Sequence, residues 1–253
     1  MDKLIVITFT EEQHAVDALT SLRLLRDQGE MGFYDAGIVA KDKNGKLSMK
    51  QVTDKMVKEY MWGSLIGSFI GLLGGPAGVI AGSIAGGLTG ATLDFIDVGV
   101  KKDFIDRVGQ SLQVNNSAVV ALAWEVSDAP LDHAMASIGG RVFRTGIKDE
   151  FEKQIETQVK SDQETETKLK AEFAQAETEV KTIIQQQIDG LHAKKEMLRK
   201  ELDARNQRIE ANIKAVTRKV SSVVGEMKTT LEQRIAQMRA KQDRQGKLQA
   251  LLS

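Results

Sequence analysis

Hydrophobic positions at the start of the chain change from a continuous run to a helical period, which predicts a strand followed by a helix. Residues 3–9, KLIVITF, form a β-branched run that is typical of a central strand buried on both faces. Thr10 and Gln13 then have the spacing of a capping box, and Gly29 is placed to end the helix that they open. The apolar face of this helix consists of Val16, Leu19, Leu22 and Leu25.

The next apolar runs predict a hairpin. Residues 33–41 and 47–53 have the composition of strands, and Asn44-Gly45 between them favours a tight type I′ turn because that turn needs two positive φ angles. The chain therefore begins with the order βαββ.

Helix and strand patterns return after a long uncharged segment. Apolar residues at every fourth position predict a helix with the face Ile96, Val100, Phe104, Val108 and Leu112. Residues 116–126, NSAVVALAWEV, then predict a buried strand, Asp128 and Pro130 begin a short helix, and residues 141–147 predict a last strand.

The uncharged segment is a glycine ladder. Residues 60–93 contain no charged side chain between Glu59 and Asp94, although 28% of the whole chain is charged. Pro76 divides the segment into two predicted helical arms, 62–74 and 77–93. The ladder glycines recur at every fourth position in two rows, Gly63, Gly67, Gly71 and Gly75, then Gly74, Gly78, Gly82, Gly86 and Gly90.

Glycines at this spacing let two helices approach closely, an arrangement common between membrane helices. Within a helix in water each costs ~1 kcal/mol relative to alanine, so the ladder needs a compensating environment. Each arm would be about 20–25 Å long against a hydrocarbon core of about 30 Å, so the hairpin either spans a thinned bilayer or enters it partway. Tyr60 and Trp62 occupy the positions of interfacial aromatic residues. The alternatives are a helical pair buried between the subunits of a soluble oligomer, or a disordered insertion.

Without the ladder, the order of elements is that of a ferredoxin-like α+β domain, βαββ then αβ, with one appended helix and strand. With the ladder, residues 1–147 resemble a family of bacterial proteins of unknown function that are described as predicted membrane proteins. The resemblance rests on KLIVITF, the Asn44-Gly45 hairpin, the run GSLIGSFIGLLGGPAGVIAGSIAGGLTGA and SAVVALAWEV. It implies a ferredoxin-like domain with an inserted glycine-zipper hairpin at residues 60–93, and it implies no catalytic residue.

The remainder of the chain, residues 148–253, has helical composition and no proline. One apolar row has an eleven-residue repeat, which favours straight or slightly right-handed bundling. Because the row keeps its phase, we expect one continuous helix that pairs with other copies; the alternative is a hairpin that turns at Gly190 or Gly225. The predicted oligomerisation row is Leu169, Val180, Leu191, Leu202, Ile213, Val224 and Ile235.

Charge adds a second interpretation of this helix. Residues 181–253 hold 16 Lys or Arg against 8 Asp or Glu, so the end of the chain is basic. A solvated charged face explains this, and so does a face that lies on anionic lipid headgroups. The basic cluster that fits the lipid interpretation is Lys194, Lys195, Arg199, Lys200, Arg205 and Arg208.

Few residues suggest chemistry. There is no cysteine, the glycine-rich stretch lacks the Lys-Ser/Thr of a phosphate loop, and the histidines are far apart in sequence: His14, His133 and His192. We therefore expect no catalytic, cofactor or metal site and no nucleic-acid partner, and the sequence identifies no small-molecule substrate. The start of the chain lacks the pattern of a signal peptide, which predicts retention in the cytoplasm.

Together these patterns favour a homo-oligomeric, membrane-associated assembly protein on the cytoplasmic side of the inner or plasma membrane. Its partners would be other copies of itself and the lipid bilayer. Whether the assembly is a pore or a scaffold stays open. The alternative is a soluble structural assembly in which the glycine ladder is buried between subunits.

Overall fold

Five antiparallel strands form one sheet, in the order β3-β2-β4-β1-β5. The structure is a computed structural model, and it describes residues 2–50, Phe69, Leu73, 100–147 and 151–252. In chain order the elements are β1 (Asp2–Phe9), α1 (Glu12–Asp27), β2 (Met31–Lys41), β3 (Leu47–Lys50), α2 (Lys102–Ser111), β4 (Ser117–Glu125), α3 (Ala129–Ala136), β5 (Arg141–Ile147), α4 (Phe151–Gln175), α5 (Thr178–Val220) and α6 (Glu226–Leu251). The predicted α+β class is confirmed.

The ferredoxin-like plan is matched in part, with different elements in its places. β1 and β2 are parallel to each other with β4 between them, and β4 and β5 are parallel with β1 between them. Helices α1 and α3 join these pairs, so the two split βαβ units are β1-α1-β2 and β4-α3-β5. From the order of elements along the sequence, β3 and α2 would instead be the third strand and the second helix of the ferredoxin-like plan. β4 takes the central place because its run SAVVALAWE is apolar on both faces, whereas β3 alternates, with Leu47 buried and Ser48 exposed, which suits an edge.

The sheet carries a helical layer on each face. On one face, the inner face, α1 and α3 cover an apolar cluster that includes Ile5, Leu22, Leu131 and Met135. On the other, the outer face, α2 and the C-terminal helices cover a second cluster that includes Val6, Tyr34 and Trp124. The apolar stripe of the C-terminal segment therefore has a partner surface within the same chain.

The C-terminal segment contains the predicted long helix but is not one continuous helix. α5 alone has 43 residues and passes through Gly190 without a turn. Breaks separate it from α4 at residues 176–177 and from α6 at 221–225, where Gly225 has a φ of 65°. The turn at Gly225 was the correct alternative. It lets α6 return along α5, so that both helices reach the outer face.

Two local predictions at chain turns are wrong. α1 begins at Glu12 without a side-chain cap, so Thr10 and Gln13 do not form a capping box. The hairpin between β2 and β3 exists, but of its central residues only Gly45 has a positive φ. The Asp42 carboxylate accepts the amides of Asn44 and Lys46, each at 2.8 Å, and this replaces the type I′ geometry.

Candidate functional site

Charged side chains are buried where α5 and α6 cover the outer face of the sheet. Most of these side chains are less than a tenth exposed, and Arg234 is 11% exposed. We call this group the polar seam, and its members are Asp2, Asp35, Arg205, Arg208, Asn212, Arg234, Lys241 and Gln245.

An irregularity in β2 creates the first half of the seam. The pairing of β2 with β4 skips Tyr34, which is the pattern of a β-bulge, so two consecutive side chains, Tyr34 and Asp35, point to the outer face. Arg208 on α5 reaches both residues: its Nη2 lies 2.7 Å from Asp35 Oδ1, and its Nε donates to the Tyr34 carbonyl. One turn later, Asn212 Nδ2 donates to the Phe33 carbonyl at 3.1 Å. α5 is therefore bound to the bulge itself.

Asp2, at the start of β1, organises the second half with α6. Lys241 Nζ lies 2.7 Å from Asp2 Oδ2, and Arg234 Nη2 lies 3.1 Å from Oδ1. The Tyr34 hydroxyl donates to the same carboxylate at 3.4 Å. The Tyr34 ring connects the halves, because Lys241 Nζ is 5.2 Å and Arg205 Cζ 5.8 Å from its centroid.

The seam has more positive than negative charge. Four basic side chains meet two carboxylates, and burial raises the pKa of Asp35, opposed by the charges of Arg208 and Arg205. Burial likewise raises the pKa of Tyr34 far above its usual range, so this phenol stays neutral. Several buried polar atoms have no hydrogen-bond partner in the part of the chain that the structure describes: Asp35 Oδ2, Trp124 Nε1, Asn206 Oδ1, Asn212 Oδ1 and both amide atoms of Gln245.

Such an interface acts by matching charges. Buried ion pairs contribute little net stability, but a cover that lacked the right partners would leave Asp2 or Asp35 buried and unpaired, at a high cost. The seam therefore determines where and in which register the C-terminal helices lie. Its arrangement suits docking, because each carboxylate of the sheet meets basic side chains of the covering helices.

A second ionic cluster closes one end of the sheet. Arg144 donates to both oxygens of the buried Glu125, at 2.8 and 2.9 Å, and Lys3 Nζ lies 3.0 Å from Oε2. Lys3 also bonds to Asp128, and this lowers the pKa of that carboxyl. These contacts tie β1, β4 and β5 together, and we interpret them as structural.

Parts of the predicted oligomerisation row are used within the chain. Leu202 is buried, and Ile213 and Ile235 pack against the outer cluster. By contrast, Val180 and Val224 are 49% and 87% exposed. The remaining members, Leu169 and Leu191, are partly buried.

The structure corrects the interpretation of the basic cluster on α5. Arg205 and Arg208 are buried in the seam and do not face lipid or solvent. Lys194 is mostly buried as well and pairs with Asp162 of α4 at 2.8 Å. The sequence signal that could have revealed this is the phase of the two arginines, which lie on the same side of α5 as Asn212 and Lys219.

The predicted membrane residues lie outside the described residues. These are the ladder glycines together with Tyr60 and Trp62. From the first predicted arm, Phe69 is fully buried, with its ring 6.0 Å from that of Phe104, and Leu73 packs against the outer cluster. Within the described ranges, none of the helices has the length and hydropathy of a membrane span, and no three acidic or histidine side chains come together as a metal site.

Comparison with known proteins gives a family of unknown function. No curated protein and no solved structure matches the chain. Residues 60–160, about two fifths of the chain, match a family model described as "Protein of unknown function (DUF1269)". The range covers the glycine ladder, α2, β4, α3, β5 and the start of α4. Over these residues the chain is similar to an uncharacterised family.

Proposed function

We propose that the protein is a homo-oligomeric, membrane-associated assembly protein. The observation that carries this proposal is the glycine ladder, an uncharged segment of thirty-four residues in a chain with 28% charged residues. In this proposal the ladder contacts the bilayer and packs against other ladders, while the sheet and the C-terminal helices stay on the cytoplasmic side. A ring of such hairpins would form either a pore or a scaffold.

The place of the insertion in the fold supports the proposal. In the sequence, the segment lies between β3, which is an edge strand, and α2. The strands β2, β4, β1 and β5 pair with one another without the inserted segment. The segment can therefore extend away from the domain without breaking these pairings. The domain can therefore hold its sheet while the ladder enters another environment.

One observation favours a second candidate, a soluble structural assembly. Phe69 and Leu73 belong to the first predicted arm, and both contact the outer cluster beside Phe104. An arm held against the domain at these two residues would bury its ladder glycines against other subunits more readily than in a bilayer. On a helix, Gly67 and Gly71 would face away from Phe69, since residues two apart lie about 200° apart.

Fractionation of the full-length protein separates the two candidates. The membrane proposal expects the protein to stay in carbonate-washed membranes and to float with vesicles, and deletion of residues 60–93 to abolish both. The soluble candidate expects an oligomer in detergent-free buffer without bound lipid. That second result would overturn the membrane proposal.

A triple substitution tests whether the ladder is a packing surface. Replacing Gly78, Gly82 and Gly86 with Leu raises hydrophobicity but fills the groove, so we expect membrane binding to persist and oligomer mass to fall. The matched control changes neighbouring large residues instead, Val79, Ile80 and Ile84 to Leu, and should leave the mass unchanged. Intact assembly in the glycine variant would show that the ladder is not the surface between copies.

A further inference from the structure

The turn between β2 and β3 contains an Asn-Gly pair that the proposed function does not use. The sequence has five asparagines, and Asn44 is the only one that is followed by glycine. The Asn44 side chain is exposed, and a Cβ atom placed on Gly45 would meet nothing within 4 Å. The pair is therefore open to solvent on the outside of the hairpin.

An exposed Asn-Gly pair can react within its own backbone. The glycine nitrogen loses its proton and bonds to Cγ of the asparagine, and the side-chain nitrogen leaves as ammonia. Water then opens the five-membered succinimide at either carbonyl, which yields aspartate or isoaspartate. The sum consumes one water and releases one ammonia, and it needs neither an oxidant nor a cofactor. Glycine favours the attack because it has no Cβ atom to hinder the approach and because its backbone rotates freely.

Asp42 fixes the backbone on both sides of this pair. Its carboxylate oxygen Oδ1 accepts the amides of Asn44 and Lys46, each at 2.8 Å. Its carbonyl accepts the Gly45 amide at 2.9 Å, and its own amide donates to the Lys46 carbonyl at 2.9 Å. We call these four hydrogen bonds the Asp42 clamp.

The Asp42 clamp opposes both steps that the attack needs. The Gly45 nitrogen is the nucleophile, and its proton is already donated to the Asp42 carbonyl. The Asn44 backbone must also rotate until this nitrogen reaches Cγ, whereas the bonds to the Asn44 and Lys46 amides hold the turn in one conformation. The turn retains glycine despite its reactivity, because Gly45 has a φ of 78°, where a residue with a side chain is strained.

We infer that Asn44-Gly45 is a site of spontaneous deamidation, which the Asp42 clamp keeps closed in the folded hairpin and which reacts when the clamp opens. Either product weakens the clamp. Aspartate at position 44 adds a second carboxylate beside Asp42, and isoaspartate adds a carbon atom to the backbone between the clamped amides. The modification therefore marks chains in which this turn has opened. The inference rests on the hairpin alone and not on the proposed function.

The test measures the deamidation rate of the folded, full-length protein at mildly alkaline pH by peptide mapping. Asp42→Ala removes the acceptor of the Asn44 and Lys46 amides, whereas Asp42→Asn keeps an oxygen there and removes only the charge. We expect Asp42→Ala to deamidate about tenfold faster than the natural chain, which corresponds to the loss of one hydrogen bond of ordinary net strength. Asp42→Asn should stay within about threefold of the natural rate, because the hydrogen bonds persist.

Two controls are available in the same chain. Asp106→Ala removes another exposed carboxylate, which pairs with Lys102 on α2, and it should leave the rate at Asn44 unchanged. Asn115 and Asn116 are each followed by a residue with a side chain, so both should stay intact in every variant.

The natural chain in urea gives the rate without the clamp and should react at least as fast as folded Asp42→Ala. Asp42 is exposed, so we expect circular dichroism to show a folded Asp42→Ala variant. If it does not fold, Asp42→Ser provides the test, since serine makes the same kind of turn more weakly and should give an intermediate rate.

Three results would overturn the inference. If folded Asp42→Ala reacts as slowly as the natural chain, the clamp does not protect the pair. If Asp42→Asn reacts as fast as Asp42→Ala, the charge of Asp42 protects it and the hydrogen bonds do not. If the folded natural chain reacts as fast as it does in urea, the site is not closed at all.

Discussion

The two faces of the sheet are covered in physically different ways. On the inner face, α1 and α3 bury apolar side chains such as Leu22 and Leu131. The one charged residue among the buried residues of these two helices is Arg26, which lies over the Phe33 ring and pairs with its neighbour Asp27 on α1 itself. On the outer face, α5 and α6 bury Asp35, Arg208 and the rest of the polar seam. Apolar burial stabilises in proportion to area and tolerates many partners, whereas a buried charge tolerates only a partner of opposite charge in the right place.

The comparison shows how one sheet can carry two kinds of helical layer, one fixed by chain connectivity and one whose docking depends on charge pairing. The inner helices are short and each joins two strands of a split βαβ unit, so their position follows from chain connectivity. The C-terminal helices follow β5, the last strand, so their position depends on tertiary contacts with the sheet, among them those of the seam. We therefore expect changes in the seam to alter docking, and changes on the inner face to alter folding as a whole.

The largest effect is expected from breaking the ion pair of Asp35 and Arg208. Arg208→Met leaves Asp35 buried without its partner and should cost about 3–5 kcal/mol of unfolding free energy in chemical denaturation. Adding Asp35→Leu removes the second charge, so the double variant should recover most of that loss. A single variant that costs less than about 1 kcal/mol would show that the seam does not hold α5.

Two glycine substitutions compare the faces directly. A Cβ atom at Gly32 would lie 2.5 Å from Trp124 Nε1 and 2.8 Å from Asn212 Cγ, and one at Gly140 would lie 2.6 Å from Phe9 Cε1. Each change to Ala should cost about 1–3 kcal/mol through overpacking. Hydrogen exchange should show lower protection of α5 for Gly32→Ala only. Equal loss of α5 protection in both variants would refute the independence of the two layers.

The neutral phenol of Tyr34 should make stability depend on alkaline pH. Because burial raises the folded pKa, the folded state keeps this proton after the unfolded state loses it, so stability falls as pH rises above about 10. At pH 11 this loss should be about 1.4 kcal/mol. Tyr34→Phe should remove that part of the slope. If Tyr34→Phe leaves the pH dependence of stability unchanged between pH 9 and 11, the Tyr34 phenol does not keep its proton in the folded state.

The smallest effect is expected for an exposed ion pair on the same helix. Glu210 and Lys214 lie 2.6 Å apart on α5, with side chains 55% and 70% exposed. Glu210→Gln should change the unfolding free energy by less than about 0.5 kcal/mol, since solvent screens the pair. A loss as large as that of Arg208→Met would mean that charge anywhere on α5, and not burial in the seam, decides docking.

Most elements of the α+β domain could be predicted from local patterns, and their arrangement could not. The runs that became β1 and β4 are of strand length, β-branched or apolar, and bounded by polar residues, and this length and composition favour strands. The sequence pattern did not predict that β4 lies between β1 and β2. The Asn44-Gly45 turn indicated β3 as the third strand of the ferredoxin-like plan. Edge and central positions depend on all strands together: β4 is buried on both faces, whereas Ser48 of β3 is exposed.

The seam was missed for a related reason. Arg205 and Arg208 lie in a basic stretch, and a charged helix face is usually solvated. Their burial requires the bulge at Tyr34, which directs Asp35 to the outer face, and α6, which brings Lys241 to Asp2. The break at residues 176–177 carries no glycine or proline, so the sequence held no signal for it.

By itself the sequence determined the elements and the direction of each apolar face, because these follow from the period of side chains along one strand or helix. It determined the glycine ladder and the absence of cysteine in the same direct way. Only the tertiary structure decided which surface each face meets. A one-dimensional pattern shows that α5 must be covered, but the charge partners of Arg208 and Lys241 come from strands more than 170 residues away.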